Sequence, residues 1–178
     1  MALRSARVAL ILAALGALGC TSAQRPPKLK AGEPATPLIA ASGPAALRAT
    51  WVFNDADLVR CRSSARELRH LQARFGRALE TMALAVDADP GDVTGFLRRQ
   101  RVGGPVRYIH RRDHRGEMAR LQTPALYITR GDRIEAVYPG VPLDDDWSIK
   151  QRNVEGRVAG LLGGSSVASA AAPATTGS

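Results

Sequence analysis

Residues Trp51 to Arg62 read Trp-Val-Phe-Asn-Asp-Ala-Asp-Leu-Val-Arg-Cys-Arg. The apolar start predicts a short buried strand, Thr50 to Phe53, and the polar residues after it predict a turn. Asp57 is a suitable N-cap for a helix that begins at Leu58. Cys61 would then lie in the first turn of that helix. This junction between strand and helix is the best candidate in the sequence for a chemical site.

The rest of the chain alternates between predicted strands and helices. The first helix continues to Gly76, because its apolar residues recur every three or four positions. Further strands are predicted at 79–86, 106–109, 122–129 and 133–138, with helices at 92–101 and 115–121 and a last one ending at Leu162. Alternating strands and helices predict an α/β fold. The expected architecture is a three-layer sandwich, a mixed central sheet with helices on both faces.

The N-terminus resembles a secretory signal. Two arginines precede the apolar run Val8 to Leu18, which suits a signal peptide and is too short to cross a bilayer. Ala17-Leu-Gly-Cys20 resembles the lipobox of bacterial lipoproteins, although alanine stands where leucine is usual. Cleavage before Cys20 would leave its thiol as the lipid attachment site, whereas ordinary cleavage after Ala23 would discard it. Either alternative predicts an exported protein, and the first predicts a membrane anchor that faces the periplasm or the outside of the cell.

Composition divides the chain into four parts. Residues 1–19 are the expected signal peptide. Residues 20–47 are rich in proline and alanine, which is typical of a tether with no core of its own. Residues 48–162 are the expected folded domain. Residues 163–178 are uncharged Gly, Ser, Ala and Thr, which is typical of a disordered tail.

Charge and side-chain chemistry narrow the function classes. The formal charge is +9, and it becomes +7 when the two arginines of the leader are removed. Export argues against nucleic acid as the partner, so a solvated basic face, which could rest on anionic lipid headgroups, is the better interpretation. The stretch His110-Arg-Arg-Asp-His114 could offer metal ligands, but a solvated basic loop is the simpler explanation. The sequence therefore predicts no metal and no cofactor.

The order of elements, together with Cys61 and Thr123-Pro124, resembles the thioredoxin-like superfamily. The resemblance covers residues 48 to 162 and is strongest to exported, membrane-tethered thiol-disulfide oxidoreductases and the alkyl hydroperoxide reductase branch. These proteins insert a strand and a helix before the proline strand, as residues 106–121 do here. In the family a Cys-x-x-Cys motif opens the first helix. Laid on that motif, Cys61 takes the second, resolving position and Leu58 takes the first, nucleophilic one.

A second alignment reads Cys61-Arg-Ser-Ser64 as a Cys-x-x-Ser motif, which places the thiol one turn later. Under either alignment the expected folded domain has one cysteine, so no internal disulfide can form and a dithiol cycle cannot be completed within it. Laid instead on the Pro-x-x-x-Thr-x-x-Cys motif of peroxiredoxins, the chain replaces the threonine with Leu58 and the proline with Asn54. Peroxidase chemistry would then lack its polar support.

The resemblance implies a redox function through the single thiol of Cys61, with a protein or small-molecule thiol or disulfide as partner. It implies a cis bond before Pro124, whereas a trans proline that merely starts a strand is the alternative. Leu58, Arg60, Thr123 and Pro124 are the expected substrate contacts. The helix N-terminus and Arg60 favour the thiolate, and burial would oppose it. The rival function is a non-catalytic binding module in which Cys61 is buried.

Overall fold

The computed structural model describes residues 26–58, 62–140 and 147–168. The strands are β1 (Leu47–Asn54), β2 (Glu80–Val86), β3 (Val106–Ile109), β4 (Ala125–Arg130) and β5 (Arg133–Pro139). The helices are α1 (Asp55–Leu58), α2 (Arg62–Phe75), α3 (Pro90–Gln100), α4 (Arg115–Arg120) and α5 (Trp147–Ala168). A 3-10 turn, Gly76–Ala78, joins α2 to β2.

The five strands form one sheet in the order β3-β2-β1-β4-β5. β1 is parallel to β2, and β2 is parallel to β3, whereas β4 pairs antiparallel with both β1 and β5. Trp51 at the centre of the sheet pairs with Ala83 on one side and Leu126 on the other. The mixed sheet and its helical layers confirm the predicted α/β class and three-layer architecture.

Alternate residues of β1 divide the core between the two faces of the sheet. Trp51 and Phe53 point to one face, where their rings stack with centroids 4.0 Å apart. They share a buried cluster with apolar residues of α2, α3 and α5. Val52 points to the other face, where it joins a second cluster that includes Met118 of α4.

The second face is covered largely by residues 26–46, which pack on the domain. Leu29, Leu38 and Ile39 are 0–1% exposed and belong to the second cluster. The prediction of a tether with no core over residues 20–47 is therefore wrong for its described part. Proline and alanine are typical of tethers, but three buried aliphatic side chains supply enough apolar surface to hold this segment on the sheet.

Backbone hydrogen bonds fasten the same segment to the β4–β5 hairpin. The amide of Gly32 donates to the carbonyl of Ile134 at 2.7 Å, and that of Ala41 donates to the carbonyl of Gly131 at 2.8 Å. Gly131 has φ +54°, and a Cβ at this position would lie 2.8 Å from the carbonyl oxygen of Pro44. Glycine is thus required here both by the left-handed backbone and by the close approach of the segment.

The C-terminal boundary also differs from expectation. The last helix continues to Ala168, six residues beyond the predicted end at Leu162. Val154 and Val158 are its buried residues on the first face, and Leu161 and Leu162 pack there in part. The expected tail from 163 therefore begins as helix. In the part of the chain that the structure describes, no helix is both long and apolar enough to cross a membrane.

Candidate functional site

One edge of the sheet brings together the end of β1 and the start of β4. Val52 pairs with Ala125, so Pro124 comes just past this pair, beside the end of β1. β2 ends at the same edge because it runs parallel to β1. The junction that follows β1 and the proline that precedes β4 therefore lie at a common edge.

The Thr123–Pro124 peptide bond is cis, as the resemblance implied. Both residues are half-buried. The carbonyl of Pro124 accepts a hydrogen bond of 2.8 Å from the amide of Gly140, the residue after β5. The amide of Gln122 donates to the hydroxyl of Tyr127 at 2.7 Å. These two bonds fix the turn that presents Thr123 and Pro124 at the edge.

A reciprocal cap starts the helical segment after β1. The amide of Asp57 donates to Oδ1 of Asn54 at 3.1 Å, and the amide of Asn54 donates to Oδ2 of Asp57 at 3.1 Å. This is a capping box in which Asn54 is the cap and Asp57 is the third helical residue. The prediction of Asp57 as N-cap and Leu58 as first helical residue is therefore wrong by three positions. The sequence signal was the pair Asn54 and Asp57, spaced three apart after an apolar strand.

Leu58 lies at the end of α1 and is half-buried against the first core cluster. Arg60 and Cys61 lie outside the described residues, as does Cys20. The structure thus locates Leu58, Thr123 and Pro124 among the predicted site residues.

A cavity of about 400 Å³ opens beside Leu58, between α1, the start of α2 and α3. Leu58 and Phe96 give it apolar walls. Its charged rim consists of Asp55, Arg62, Asp92 and Arg99. Thr123 is not among the lining residues of this cavity in the part of the chain that the structure describes.

Asp55 and Asp89 join α1 to α3 beside this cavity. The amide of Asp89 donates to Oδ1 of Asp55 at 3.2 Å. Oδ1 of Asp89 in turn accepts from the amides of Gly91 and Asp92 at 2.8 and 3.0 Å, so Asp89 is the N-cap of α3. Asp89 thus caps α3, and Asp55 links α1 to that cap.

Glu67, on the inner face of α2, was missed by the sequence analysis. Its side chain is 2% exposed, and neither carboxyl oxygen has a hydrogen-bond partner among the described residues. Burial raises the pKa of Glu67 to about 7, a shift opposed by His70 and reinforced by the charge of Glu155. The signal was its spacing, since Glu67 directly precedes the buried Leu68 and lies four residues before the buried Leu71.

The surroundings of Glu67 connect it to the hairpin behind the site. Burial raises the pKa of Tyr138, which the charge of Arg157 lowers and that of Glu67 raises, so the carboxyl and the phenol lie near one another. Tyr138 pairs with Leu126, two residues from Pro124. Nε2 of His70 is 3.0 Å from Oε2 of Glu155, and Nε of Arg74 is 2.9 Å from its other oxygen. Glu67 is therefore a buried acid of α2 that interacts electrostatically with Tyr138 of β5 and Glu155 of α5.

The sheet order, the cis proline and the helix that follows β1 define a thioredoxin-like fold. The comparisons agree with this class. A thiol:disulfide interchange protein described as DsbE, from Chlorobium tepidum, superposes with a TM-score of 0.54 at 15% identity, over 77% of this chain and 99% of the other. A thioredoxin-family thiol:disulfide interchange protein from Chlorobium tepidum TLS gives 0.52 at 12% identity, with the same coverage. The thioredoxin domain of a thiol-disulfide oxidoreductase from Bacteroides vulgatus gives 0.51 at 14%, over 71% and 99%.

No protein-family model matches the chain, and no curated protein matches it in sequence. The similarity to the solved structures lies in the fold, because the identities are between 12 and 15%. The predicted thioredoxin-like fold is therefore confirmed. The role of each site residue stays a prediction.

Proposed function

We propose that this chain is an exported, lipid-anchored thioredoxin-like protein whose one free thiol, Cys61, exchanges with disulfides. The observation that carries the proposal is the shared sheet edge. The start of α1, which precedes Cys61 in the sequence, and the Thr123–Pro124 pair both lie there. The solved structures with this fold include proteins described as thiol:disulfide interchange proteins. A sequence signal, Ala17 to Cys20, supports the anchor.

The proposed reaction uses one sulfur of the chain. The thiolate of Cys61 attacks one sulfur of a partner disulfide, a mixed disulfide forms, and the other partner sulfur leaves as a thiolate. Because Leu58 stands at the first, nucleophilic position of the motif, the folded domain has no other thiol, and an external thiol must attack the mixed disulfide. That step releases Cys61 as thiolate and transfers the disulfide to the external thiol. Two electrons pass between the two external compounds, and the chain returns to its starting state.

Thiol titration of the native mature chain tests this proposal. A lipid on Cys20, or its loss by cleavage after Ala23, leaves Cys61 as the only free thiol. We expect native Cys61 to react with an aromatic disulfide reagent near neutral pH, and Cys61→Ser to abolish the reaction. Reaction only after denaturation would refute thiol exchange. Comparison of peroxide consumption with disulfide exchange in the same variants separates a peroxidase from an exchange protein.

The anchor has its own test. Labelled fatty acid should be incorporated into the exported wild-type chain and not into Cys20→Ser. Label that persists in Cys20→Ser contradicts attachment at this cysteine. Cleavage after Ala23 would instead give an unlabelled chain that lacks residues 1–23.

A binding module is the second candidate, and Leu58 is the observation that favours it. Leu58 and Phe96 form the apolar walls of a cavity of about 400 Å³ with a rim of both charges. Such a cavity suits an apolar anchor residue of a partner protein. Under this alternative Leu58→Ala would weaken partner capture while Cys61→Ser would not. The opposite pattern supports thiol exchange.

A further inference from the structure

A second, larger cavity lies at the same end of the sheet but on the face covered by α4. Its volume is about 810 Å³. We call it the basic cavity. Its lining includes Lys28, His110, Arg111, Arg112, Arg115 and Met118. It forms where β3 ends, between the N-terminal segment and α4.

The lining of the basic cavity carries more positive than negative charge. Four cations line it, and Asp87 is the one carboxylate among its described lining residues. Asp87 compensates Arg111, whose backbone amide donates to Oδ1 at 2.8 Å and whose Nε lies 3.6 Å from Oδ2. Arg115 forms no ion pair with any described residue. The described lining of the cavity therefore retains a net positive charge.

Two further cations contribute to that charge. The Nζ of Lys28 donates to the carbonyls of Ala119 and Leu121 at 3.1 and 2.8 Å, and these neutral acceptors fix its position without cancelling its charge. Arg112 is exposed and has its neighbour Asp113 at 3.6 Å. An exposed pair of this kind is weak, so the guanidinium stays available to an external anion. Guanidinium groups bind phosphate with two parallel hydrogen bonds.

The path of the chain places the basic cavity near the proposed anchor. Pro26 lines the cavity, and Leu29 is fully buried, its amide bonded to the carbonyl of Arg120 at 3.0 Å. Only residues 21–25 separate Cys20 from Pro26. Fully extended, six steps of about 3.5 Å span at most about 20 Å. A lipid on Cys20 would thus hold the basic cavity within about 20 Å of the membrane surface.

We propose that the basic cavity binds the phosphate of anionic phospholipid headgroups. Its charge complements a negative membrane surface, and the short connection to Cys20 brings the two together. Met118 and Pro26 supply apolar contacts beside the cations. The geometric part of this inference rests on the proposed lipid anchor. Bound in this way, the domain would lie against the membrane by the face of α4, with α2 and α3 on the opposite face.

The test measures binding of the mature chain to vesicles without the lipid. Residues 1–19 are omitted, and Cys20→Ser prevents acylation. The vesicles are phosphatidylcholine with and without phosphatidylglycerol. We expect sedimentation only with the anionic vesicles, and weaker binding at high salt. The double variant Arg112→Gln with Arg115→Gln should bind about thirtyfold more weakly, since each cation near an anionic surface contributes about fivefold.

A matched control removes the same charge from the other side of the molecule. Arg66 on α2 and Arg98 on α3 are exposed, and neither has an ion pair with a described residue. The double variant Arg66→Gln with Arg98→Gln should bind much as the parent does. An equal loss in both pairs would mean that diffuse net charge drives the binding, and the proposal would be wrong. Circular dichroism of both pairs separates lost folding from lost binding.

Soluble glycerol phosphate distinguishes a lipid from a free phosphate compound. If it binds to the chain while vesicles do not, the ligand is a small molecule and the lipid proposal is overturned. Vesicle binding of the Cys20→Ser chain requires neither a lipid on Cys20 nor a reaction of Cys61. A chain that fails to bind vesicles therefore leaves the Cys20 and Cys61 proposals standing, and a failed thiol titration leaves the phospholipid proposal standing.

Discussion

Replacing Glu67 with glutamine should remove a large part of the pH dependence of stability. Glu67 is 2% exposed and has no hydrogen-bond partner among the described residues. Its pKa is raised from 4.5 to about 7, with burial as the main cause. The groups that face it are His70 on the same helix, Glu155 on α5 and Tyr138 on β5. The charge of Glu155 reinforces the rise of the Glu67 pKa, and the charge of His70 opposes it.

The direction in which the free energy of unfolding changes with pH depends on which state of the chain holds the proton. Below pH 4.5 the carboxyl is protonated in both states and has no effect on the pH dependence. Between pH 4.5 and about 7 the unfolded chain releases the proton while the folded chain keeps it, so the free energy of unfolding falls as pH rises. The shift of 7 minus 4.5, or 2.5 units, at ~1.4 kcal/mol per unit corresponds to ~3 kcal/mol. Above pH 7 the loss is complete.

Urea unfolding of wild type and Glu67→Gln from pH 5 to pH 8 measures this effect. Near pH 5 the two proteins should be similarly stable, since glutamine and the protonated acid are nearly equal in size. By pH 8 the variant should be more stable by up to ~3 kcal/mol. If the two curves of unfolding free energy against pH remain parallel, Glu67 does not titrate with a raised pKa and the argument fails.

Glu80 provides a control, because its contribution to stability should change with pH in the opposite direction to that of Glu67. Burial alone would raise the pKa of Glu80, but hydrogen bonds from Ser42 and the guanidinium of Arg48 together lower it below 4.5. Its ion pair with Arg48 measures 2.9 Å. The stability it contributes is present above pH 4.5 and is lost as pH falls through its folded pKa. Glu80→Gln should therefore be less stable than wild type at pH 7, and the difference should shrink in acid.

Two further predictions test how the N-terminal segment is held. Leu38→Ala should lower the free energy of unfolding by ~2–5 kcal/mol in a urea titration, because Leu38 is 1% exposed in the second core cluster; a free tether would give no change. Gly131→Ala should destabilise more than Gly140→Ala in thermal unfolding. Both glycines have positive φ, but only at Gly131 does a Cβ meet backbone, the carbonyl of Pro44 at 2.8 Å. Equal losses would mean that backbone conformation alone sets the cost.

The sequence was sufficient to predict the strands of the sheet, but not to predict that the N-terminal segment packs on its second face. Strand β3 was predicted at 106–109 and is found there, because Gly103, Gly104 and the polar residues after Ile109 bound a short stretch of β-forming residues. Leu29, Leu38 and Ile39 follow no period, and they are buried only because the second face of the sheet is open to them. Their contacts are with residues far away in the chain, and local pattern contains no information about such contacts.

The site shows the same division between local and distant information. The capping box of Asn54 and Asp57 is a local signal and could have been identified from the residues. Burial of Glu67 depends on β5 and α5, which are distant in sequence, so only its inward spacing indicated it. The basic cavity joins Lys28 to residues 110–119, a separation that no motif spans. Cavities and buried groups that combine distant segments are thus the part that the sequence predicted least.

Leu58→Cys tests whether α1 ends where a dithiol protein has its nucleophile. Leu58 is half-buried at the end of α1, three residues before Cys61. If the two positions correspond to Cys-x-x-Cys, the variant should form an internal disulfide and reduce insulin catalytically with dithiothreitol, whereas wild type should not. Ser64→Cys is the matched variant for the second alignment, in which Cys61 comes first. Activity in Ser64→Cys and none in Leu58→Cys would reverse the alignment. If neither variant is active, two thiols at the family spacing do not complete the cycle at this site. That result would contradict the redox proposal and favour the binding module.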